Sequence, residues 1–189
     1  MKPDNIESLV NRSDVYRVNG QYELSIADCN KAISTNKNSS GAYMNRGITY
    51  CMIGRFDEAF NDFKMVISIN PKNSNVYCNR GNLFDMKGQL DSAISDYTNA
   101  IFLNPEYAES FYNRGKTFLR KKDYNSAIQD FNSALKLNSK NNDLYIFRSQ
   151  AFKEKGDFLN ALQDALRAKE LGNPIDENYL NDLQNLVNK

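Results

Sequence analysis

The sequence predicts an all-α protein made of stacked antiparallel helix pairs, and three observations support this. The tripeptide Asn-Arg-Gly recurs at a constant step of 34 residues, beginning at Asn45, Asn79 and Asn113. An aspartate keeps the same step along the chain, at Asp28, Asp62, Asp96, Asp130 and Asp164. Within each period, apolar residues follow the i, i+3, i+4, i+7 spacing of amphipathic helices. A pair of short helices cannot bury its own apolar face, so successive pairs are expected to stack.

The period divides the chain into five repeats, called repeats 1 to 5 below, and a C-terminal segment. The repeats cover residues 6–39, 40–73, 74–107, 108–141 and 142–175, and the last segment covers residues 176–189. Because the repeats account for nearly the whole chain, we expect a single domain over residues 1–189.

Each repeat is predicted to contain two helices, as repeat 2 illustrates. Apolar residues at helical spacing fill both halves of this repeat, and Gly54 separates them. Asn70 and Pro71 end the second helix, because Asn tolerates a left-handed terminal position and Pro cannot continue a helix. Glycine inside a helix costs up to about 1 kcal/mol. We therefore expect Gly47 to mark a close approach of the partner helix, with the small residue Ala59 facing it.

The C-terminal segment 176–189 is predicted to be a capping helix. Its apolar residues fall on one helical face, namely Tyr179, Leu180, Leu183, Leu186 and Val187. Asn, Asp and Gln occupy its other positions, so its outer side is polar, as the end of a repeat array requires. The start of the chain shows no comparable cap, and repeat 1 is polar instead.

These motifs resemble the tetratricopeptide repeat (TPR). That motif places an aromatic, a glycine and a tyrosine in the first helix, Ala-x3-Phe in the second and a proline after it. Repeat 2 carries them as Tyr43, Gly47, Tyr50, Ala59, Phe63 and Pro71. The match recurs in repeats 3 to 5 and is weakest in repeat 1. The resemblance implies a right-handed superhelical solenoid in which the first helices of the repeats line a concave groove.

An arginine occupies a position where the TPR motif expects an apolar residue. It recurs in every repeat, as Arg12, Arg46, Arg80, Arg114 and Arg148. An arginine that faces a core needs a partner, and the aspartate row is the acid common to all five repeats. We therefore predict structural pairs such as Arg46 with Asp62. The alternative, a row of arginines that binds phosphate or carboxylate, is the weaker hypothesis because the aspartates already supply the counter-charge.

Four asparagines share one position that, by resemblance to the family, faces the groove. They are Asn11, Asn45, Asn79 and Asn113. Family members that hold extended peptides carry such an asparagine ladder, and an amide side chain can both donate to and accept from a peptide backbone. Each such bond contributes about 0.5–1.5 kcal/mol. The alternative is that these residues are solvated surface in an asparagine-rich chain.

The other groove positions implied by the resemblance predict a preference for certain ligand side chains. The candidate residues there are Met44, Ile48, Met52, Asn82, Met86, Tyr112 and Lys116. Adaptable methionines in an exposed apolar patch indicate a contact for an apolar side chain or an amphipathic helix. The alternative is that neighbouring second helices cover the patch. Cys51 and Cys78 are also expected to face the groove, about 10 Å apart along near-parallel helices and too distant for a disulfide.

Composition and motifs argue against catalysis and against several classes of partner. The chain has 189 residues, no His and a formal charge of +1, so no His-dependent chemistry is available and no global field attracts nucleic acid or an anionic membrane. Phosphate-binding, zinc-protease and serine-hydrolase motifs are missing from the sequence. Three cysteines without paired spacing make neither a disulfide framework nor a zinc site. We predict no catalytic residue, no metal and no cofactor.

The predicted function is a non-catalytic scaffold that binds a protein or an extended peptide in the groove. The sequence shows no signal peptide or membrane span, which predicts a cytoplasmic protein. Two alternatives stay open: a structural scaffold that assembles into homo-oligomers, and a regulatory subunit of an enzyme on another chain. The carboxylate clamp with which some family members bind acidic chaperone tails lacks its cations here, and Asp143 stands where one alignment of that clamp needs a cation.

Overall fold

The computed structural model describes residues 5–138 and 142–188, and within these ranges it contains eleven α-helices and no β-strand. The helices are α1 (Ile6–Val18), α2 (Tyr22–Thr35), α3 (Ser40–Met52), α4 (Phe56–Ile69), α5 (Ser74–Met86), α6 (Leu90–Leu103), α7 (Ala108–Arg120), α8 (Tyr124–Leu137), α9 (Asn142–Lys155), α10 (Phe158–Glu170) and α11 (Glu177–Val187). Residues 1–4, 139–141 and 189 lie outside the description, together with the predicted ends of repeat 4 and of the capping helix. Each predicted repeat contains two helices, which confirms the predicted all-α architecture of helix pairs.

The helices belong to two compact units, an N-terminal unit (Met1–Gly88) with α1 to α5 and a C-terminal unit (Gln89–Lys189) with α6 to α11. In the N-terminal unit, α1 packs on α2 and α3 on α4, while α2 and α4 each pack on the helix that follows. In the C-terminal unit, α7 pairs with α8 and α9 with α10, while α6 packs on α7, α8 on α9 and α10 on α11. Within each unit the helix pairs therefore stack, as predicted, whereas the single domain over residues 1–189 stays a prediction.

The turn between the two helices of a repeat contains one residue in the left-handed region. Gly20, Gly54 and Gly156 adopt φ values of 74°, 75° and 85° there. Lys122 holds the matching position of repeat 4 with a φ of 62°. Glycine has no Cβ to disfavour this conformation, whereas the lysine carries a conformational cost of about 1–2 kcal/mol.

A close contact explains the glycine inside the first helix of repeats 2 and 4. A Cβ at Gly47 would lie 2.7 Å from Cε1 of Phe63, and a Cβ at Gly115 would lie 2.8 Å from Cε1 of Phe131. Both rings are fully buried. The predicted close approach is confirmed, but the neighbour that demands it is an aromatic ring and not the small residue Ala59.

Repeats 1 and 5 satisfy the same packing requirement with different side chains. At the glycine position they have Ser13 and Ser149, and at the aromatic position they have Cys29 and Ala165. All four residues are buried. A smaller side chain on the second helix leaves room for a larger one on the first, so the two positions change volume in opposite directions, although in repeat 5 the exchange does not fill the whole space of an aromatic ring.

The predicted capping helix forms as α11. Asp176 caps its N-terminus, because the side chain accepts a hydrogen bond of 2.9 Å from the backbone N–H of Asn178. Leu180 and Leu183 are buried in one apolar cluster with residues of α10. The predicted inner face is thus confirmed at these two leucines, whereas Val187, predicted on the same face, is exposed.

Candidate functional site

Four of the five predicted Arg–Asp pairs form inside the two units. Each guanidinium donates to both carboxylate oxygens over 2.6–2.8 Å, in the pairs Arg12–Asp28, Arg46–Asp62, Arg114–Asp130 and Arg148–Asp164. These aspartates are buried, and burial raises the pKa of the Asp62 and Asp130 carboxyls against the opposing effect of their arginines. The fifth pair, Arg80 with Asp96, has its members in different units and stays a prediction.

Three of these arginines also reach back to the preceding repeat. Each donates from Nη1 to a side-chain oxygen over 2.5–2.9 Å, Arg46 to Asn30, Arg114 to Thr98 and Arg148 to Asn132. Their side chains are only 18–19% exposed. These arginines therefore hold two repeats together, and they offer no support for the alternative of an anion-binding row.

Asn45 and Asn79, two members of the asparagine ladder, form hydrogen bonds within the fold. Nδ2 of Asn45 donates to the backbone carbonyl of Val10 and to Oγ of Ser13, both at 3.0 Å, and so ties α3 to α1. Nδ2 of Asn79 donates over 2.9 Å to the carbonyl four residues earlier in α5. Asn11, in contrast, is exposed on α1. The ladder positions are thus chemically unequal although the sequence gives them the same residue at the same step.

Six residues predicted to face the groove meet at one concavity of the N-terminal unit, called the methionine pocket below. It is lined by Ile48, Cys51, Met52, Phe63, Asn79, Asn82 and Met86, and its volume is about 160 Å³. The side chains come from α3, α4 and α5, with the buried ring of Phe63 below and the exposed Met52 and Met86 at the mouth. Two asparagines are the polar residues of this lining, so the pocket suits an apolar ligand group with few directed hydrogen bonds.

An exposed apolar stripe runs past the mouth of the methionine pocket. Val18, Met52 and Met86 hold the same repeat position on α1, α3 and α5, and they are 69%, 50% and 56% exposed. These three helices contact one another in sequence within the N-terminal unit. Val18 was not among the candidates from the sequence, although the step of 34 residues aligns it with both methionines.

The two cysteines expected to face the groove differ in the structure. Cys51 lines the methionine pocket and is partly exposed, whereas Cys78 is 3% exposed, so the expectation for Cys78 is wrong because its side chain is packed in the core. Burial raises the pKa of Cys51 and of the core residue Cys29 to about 11. Met44, another candidate, is partly buried, with its sulfur 3.7 Å from Nδ2 of Asn79.

The candidates of the C-terminal unit form an aromatic cluster with a lysine. Tyr112 of α7 and Phe147 of α9 meet edge to face, with ring centroids 5.7 Å apart. Nζ of Lys116 lies 5.1 Å from the first centroid and 5.0 Å from the second. Burial, together with the charge of Asp143, raises the pKa of Tyr112. Tyr112 and Asn113 also line a concavity of about 350 Å³ beside this cluster.

Another concavity, which sequence reasoning missed, lies between α9, α10 and the capping helix α11. It measures about 290 Å³, and its lining includes Ser149, Ala165 and Tyr179. Oγ of Ser149 and Oη of Tyr179 are 2.9 Å apart and share a hydrogen bond. The available signal was the replacement of an aromatic residue by Ala165, which leaves volume that the serine does not fill.

The described residues contain no cluster of three or more His, Cys, Asp or Glu side chains placed to hold a metal ion. In the same part of the chain, every helix is too short or too polar to cross a membrane.

Family models for the tetratricopeptide repeat match most of the chain. One model matches residues 40–73 and 108–141, two others match residues 6–39 and 63–95, and a TPR repeat model matches residues 86–122. Together these matches run from residue 6 to residue 141. Comparison with curated proteins gives no match.

Several solved structures share the fold. A crystal structure of MamA is 22% identical, with a TM-score of 0.75 over 84% of this chain and 93% of MamA. PilF of Pseudomonas aeruginosa is 17% identical, with a TM-score of 0.84 over 90% of this chain and 78% of PilF. YrrB, a TPR protein with an unusual peptide-binding site, is 16% identical, with a TM-score of 0.72 over 97% of this chain and 94% of YrrB. At these identities the likeness establishes the fold alone.

Proposed function

Because the chain belongs to the tetratricopeptide-repeat family, whose members are protein-interaction scaffolds, we propose that it is a non-catalytic scaffold that binds an apolar segment of a partner protein. The proposed binding surface is the methionine pocket together with the apolar stripe of Val18, Met52 and Met86. An apolar side chain of the partner enters the pocket, and the rest of the segment covers the stripe.

One observation carries this proposal: two half-exposed methionines from neighbouring helices flank a pocket above a buried ring. Covering apolar surface contributes about 25 cal/mol per Å², and exposed apolar residues that are contiguous mark interaction sites more often than scattered ones do. The pocket volume of about 160 Å³ is close to the ~150 Å³ of an apolar cavity that accepts benzene. A single leucine or phenylalanine side chain is therefore a suitable occupant.

Only some asparagines of the ladder are proposed to contact the backbone of a bound segment. Asn79 and Asn82 belong to the pocket lining, so a bound segment would pass their amide groups. Asn11 and Asn113 remain candidates at the ladder position of other helices. Asn45 is proposed as a structural residue, because its two bonds of 3.0 Å join α3 to α1, whereas the 2.9 Å bond of Asn79 stays within α5.

Tyr112 and Lys116 are proposed as a second contact of different chemistry. They lie in the C-terminal unit, where the lysine ammonium sits beside two aromatic rings. Aromatic surface with a positive charge suits an aromatic or acidic side chain of a partner.

The test is selection of a random dodecapeptide library displayed on phage against the wild-type chain. Selected peptides are then measured for affinity with Met52→Lys and Met86→Lys, which place a charge at the mouth of the pocket. Met65→Lys is the matched control, because Met65 is also exposed but lies on α4 outside the pocket lining. Far-UV circular dichroism verifies that each variant is folded.

We expect peptides enriched in one large apolar residue, with affinity reduced at least tenfold by Met52→Lys and Met86→Lys and unchanged by Met65→Lys. Burying a lysine ammonium without a partner is unfavourable enough to produce such a loss. Peptides that bind all four proteins equally, or no enrichment on the wild-type chain, would overturn the proposal.

A further inference from the structure

We propose that Met52 is a site of reversible oxidation, whose sulfoxide is held by Arg17 and closes the methionine pocket to apolar ligands. The oxidant is a peroxide. The effect on ligand binding rests on the proposed function, whereas the oxidation and the contact with Arg17 do not depend on it.

The thioether of Met52 is accessible and lies at a functional position. Met52 is the last residue of α3 and is half exposed at the mouth of the methionine pocket. A small oxidant can therefore reach its sulfur without any opening of the helix. Oxidation changes a flexible apolar side chain into a polar one, and the change matters most where methionine forms an apolar contact surface.

The guanidinium of Arg17 has more donors than it has good acceptors. Nη2 donates to Oδ1 of Asp14 over 2.5 Å, while Nη1 lies 4.0 Å from Sδ of Met52. Nε is buried and finds no hydrogen-bond partner among the described residues. A thioether sulfur is a weak acceptor, so the group that faces Met52 is a cation poorly matched to its neighbour.

Oxidation supplies the acceptor that this arginine lacks. One oxygen atom of hydrogen peroxide is transferred to Sδ, the O–O bond breaks, an S–O bond forms and water leaves. The sulfur loses two electrons and the peroxide gains them. The new oxygen accepts a hydrogen bond from the positively charged Nη1, and such charge-assisted bonds are stronger than bonds between neutral groups. Arg17 therefore holds the oxidised side chain towards α1.

The oxidised pocket presents different chemistry to a ligand. Its mouth gains a strong acceptor and a side chain fixed by Arg17, while the apolar stripe is interrupted at its middle member. An apolar ligand side chain then has to displace a polar, hydrogen-bonded group, which costs affinity. A methionine sulfoxide reductase returns the thioether and restores the pocket: two thiols are oxidised to a disulfide, the S–O bond breaks and the oxygen leaves as water.

Cys51 lies in the same pocket but is the less reactive sulfur towards peroxide. Peroxide reacts with the thiolate form of cysteine, and burial raises the pKa of Cys51 to about 11. At neutral pH its thiol is therefore protonated. Methionine sulfur needs no deprotonation, so Met52 is oxidised before Cys51, as is the other exposed methionine of the pocket, Met86.

The experiment treats the whole chain with hydrogen peroxide and follows it with two measurements. Peptide mapping by mass spectrometry records the oxidation of each Met and Cys. The NMR signals of the Arg17 guanidinium report its hydrogen bonding in the wild-type chain and in Met52→Leu, which cannot be oxidised at this position. We expect sulfoxide at Met52 and a shift of the Arg17 signals in the wild-type chain alone. No shift in the oxidised wild-type chain would overturn the role of Arg17.

A third measurement tests the effect on binding with an apolar dodecapeptide selected as described above. Peroxide should weaken binding at least tenfold in Met86→Leu, which keeps Met52 as the one methionine of the pocket lining, but not in the double variant that combines Met52→Leu with Met86→Leu, and sulfoxide reductase with a thiol reductant should restore it. An equal loss in Met86→Leu and in the double variant would overturn the switch. Absence of peptide binding before oxidation would instead contradict the proposed function, and peptide mapping and the NMR signals would then decide the oxidation of Met52 and its contact with Arg17.

Discussion

Asn45 joins two helices through a single side chain. Nδ2 of Asn45 donates to the carbonyl of Val10, which also accepts a hydrogen bond of 2.7 Å from Oγ of Ser13, and to Oγ of Ser13 itself. Replacing Asn45 with alanine removes both of these hydrogen bonds between α3 and α1. The cost of such a loss is about 1–2 kcal/mol.

We therefore predict that Asn45→Ala lowers the free energy of unfolding by about 1–2 kcal/mol, measured by urea denaturation with far-UV circular dichroism. Asn11→Ala is the matched control at the same repeat position, and because Asn11 is exposed its change should stay within about 0.5 kcal/mol. Equal effects of the two substitutions would contradict the structural role of Asn45.

Sequence reasoning predicted the residues of the candidate site better than it predicted their individual roles. The period of 34 residues placed Ile48, Met52 and Met86 on neighbouring helices, and all three line one pocket. The same period cannot distinguish Asn45 from Asn11, because the hydrogen bonds of Asn45 depend on the neighbouring helix and not on its own repeat.

At the scale of the element, the helix ends followed from local backbone chemistry. Gly54 and Pro71 interrupt the helical pattern of repeat 2, and α3 and α4 end just before them. The concavity next to α11 could not be predicted in this way. Its volume depends on how completely the side chains of Ser149 and Ala165 fill the space between three helices, which no helix signal encodes.

The turn between α7 and α8 offers a test of backbone strain. Lys122 adopts a φ of 62°, where the other repeats place glycine. Lys122→Gly removes a conformational cost of about 1–2 kcal/mol from the folded state. It also raises the conformational entropy of the unfolded chain, which destabilises the fold by about 0.4–1 kcal/mol. We predict a net stabilisation of about 0.5–1 kcal/mol, seen as a higher urea midpoint.

The reverse substitution, Gly54→Ala, is the control for that turn. Gly54 adopts a φ of 75° with open space around its Cβ position, so strain and not a clash decides the outcome. Its urea midpoint should fall. A lower midpoint for Lys122→Gly would mean that the lysine side chain contributes more than its backbone costs.

At the scale of the whole molecule, the repeat period predicted the number and order of the helices but not the division into two compact units. The division falls at residue 88, within predicted repeat 3. Gly88 holds the same turn position as Gly54, with a φ of 73°. The sequence pattern is therefore continuous at this point and carries no mark of the division.

Buried thiols make the stability of the protein sensitive to alkaline pH. Burial raises the pKa of Cys29 from 9.0 to about 11. Below pH 9 both the folded and the unfolded states keep the proton. Between pH 9 and about pH 11 the thiol of Cys29 ionises in the unfolded state but stays protonated in the folded state, so its stabilising contribution is lost as pH rises. The loss amounts to about 2 kcal/mol near pH 10.5.

The compared quantity is the decrease in the free energy of unfolding between about pH 8 and about pH 10.5. We predict that this decrease is about 2 kcal/mol smaller in Cys29→Ala than in the wild-type chain. Urea titrations at the two pH values measure both proteins. The substitution also has a packing cost, which is the same at either pH and cancels in the difference. An equal decrease in the free energy of unfolding in the two proteins would contradict the assignment of this pH dependence to Cys29.

The arginines that bridge successive repeats have partners that are synthesised in a fixed order. Each emerges from the ribosome 16 residues after its acceptor in the preceding repeat and 16 residues before its own aspartate, as Arg46 does between Asn30 and Asp62. At translation speeds of about 5–20 residues per second, the carboxylate follows after about 1–3 seconds. The acceptor in the preceding repeat is therefore the first partner available to a newly made arginine, and its own aspartate becomes available second.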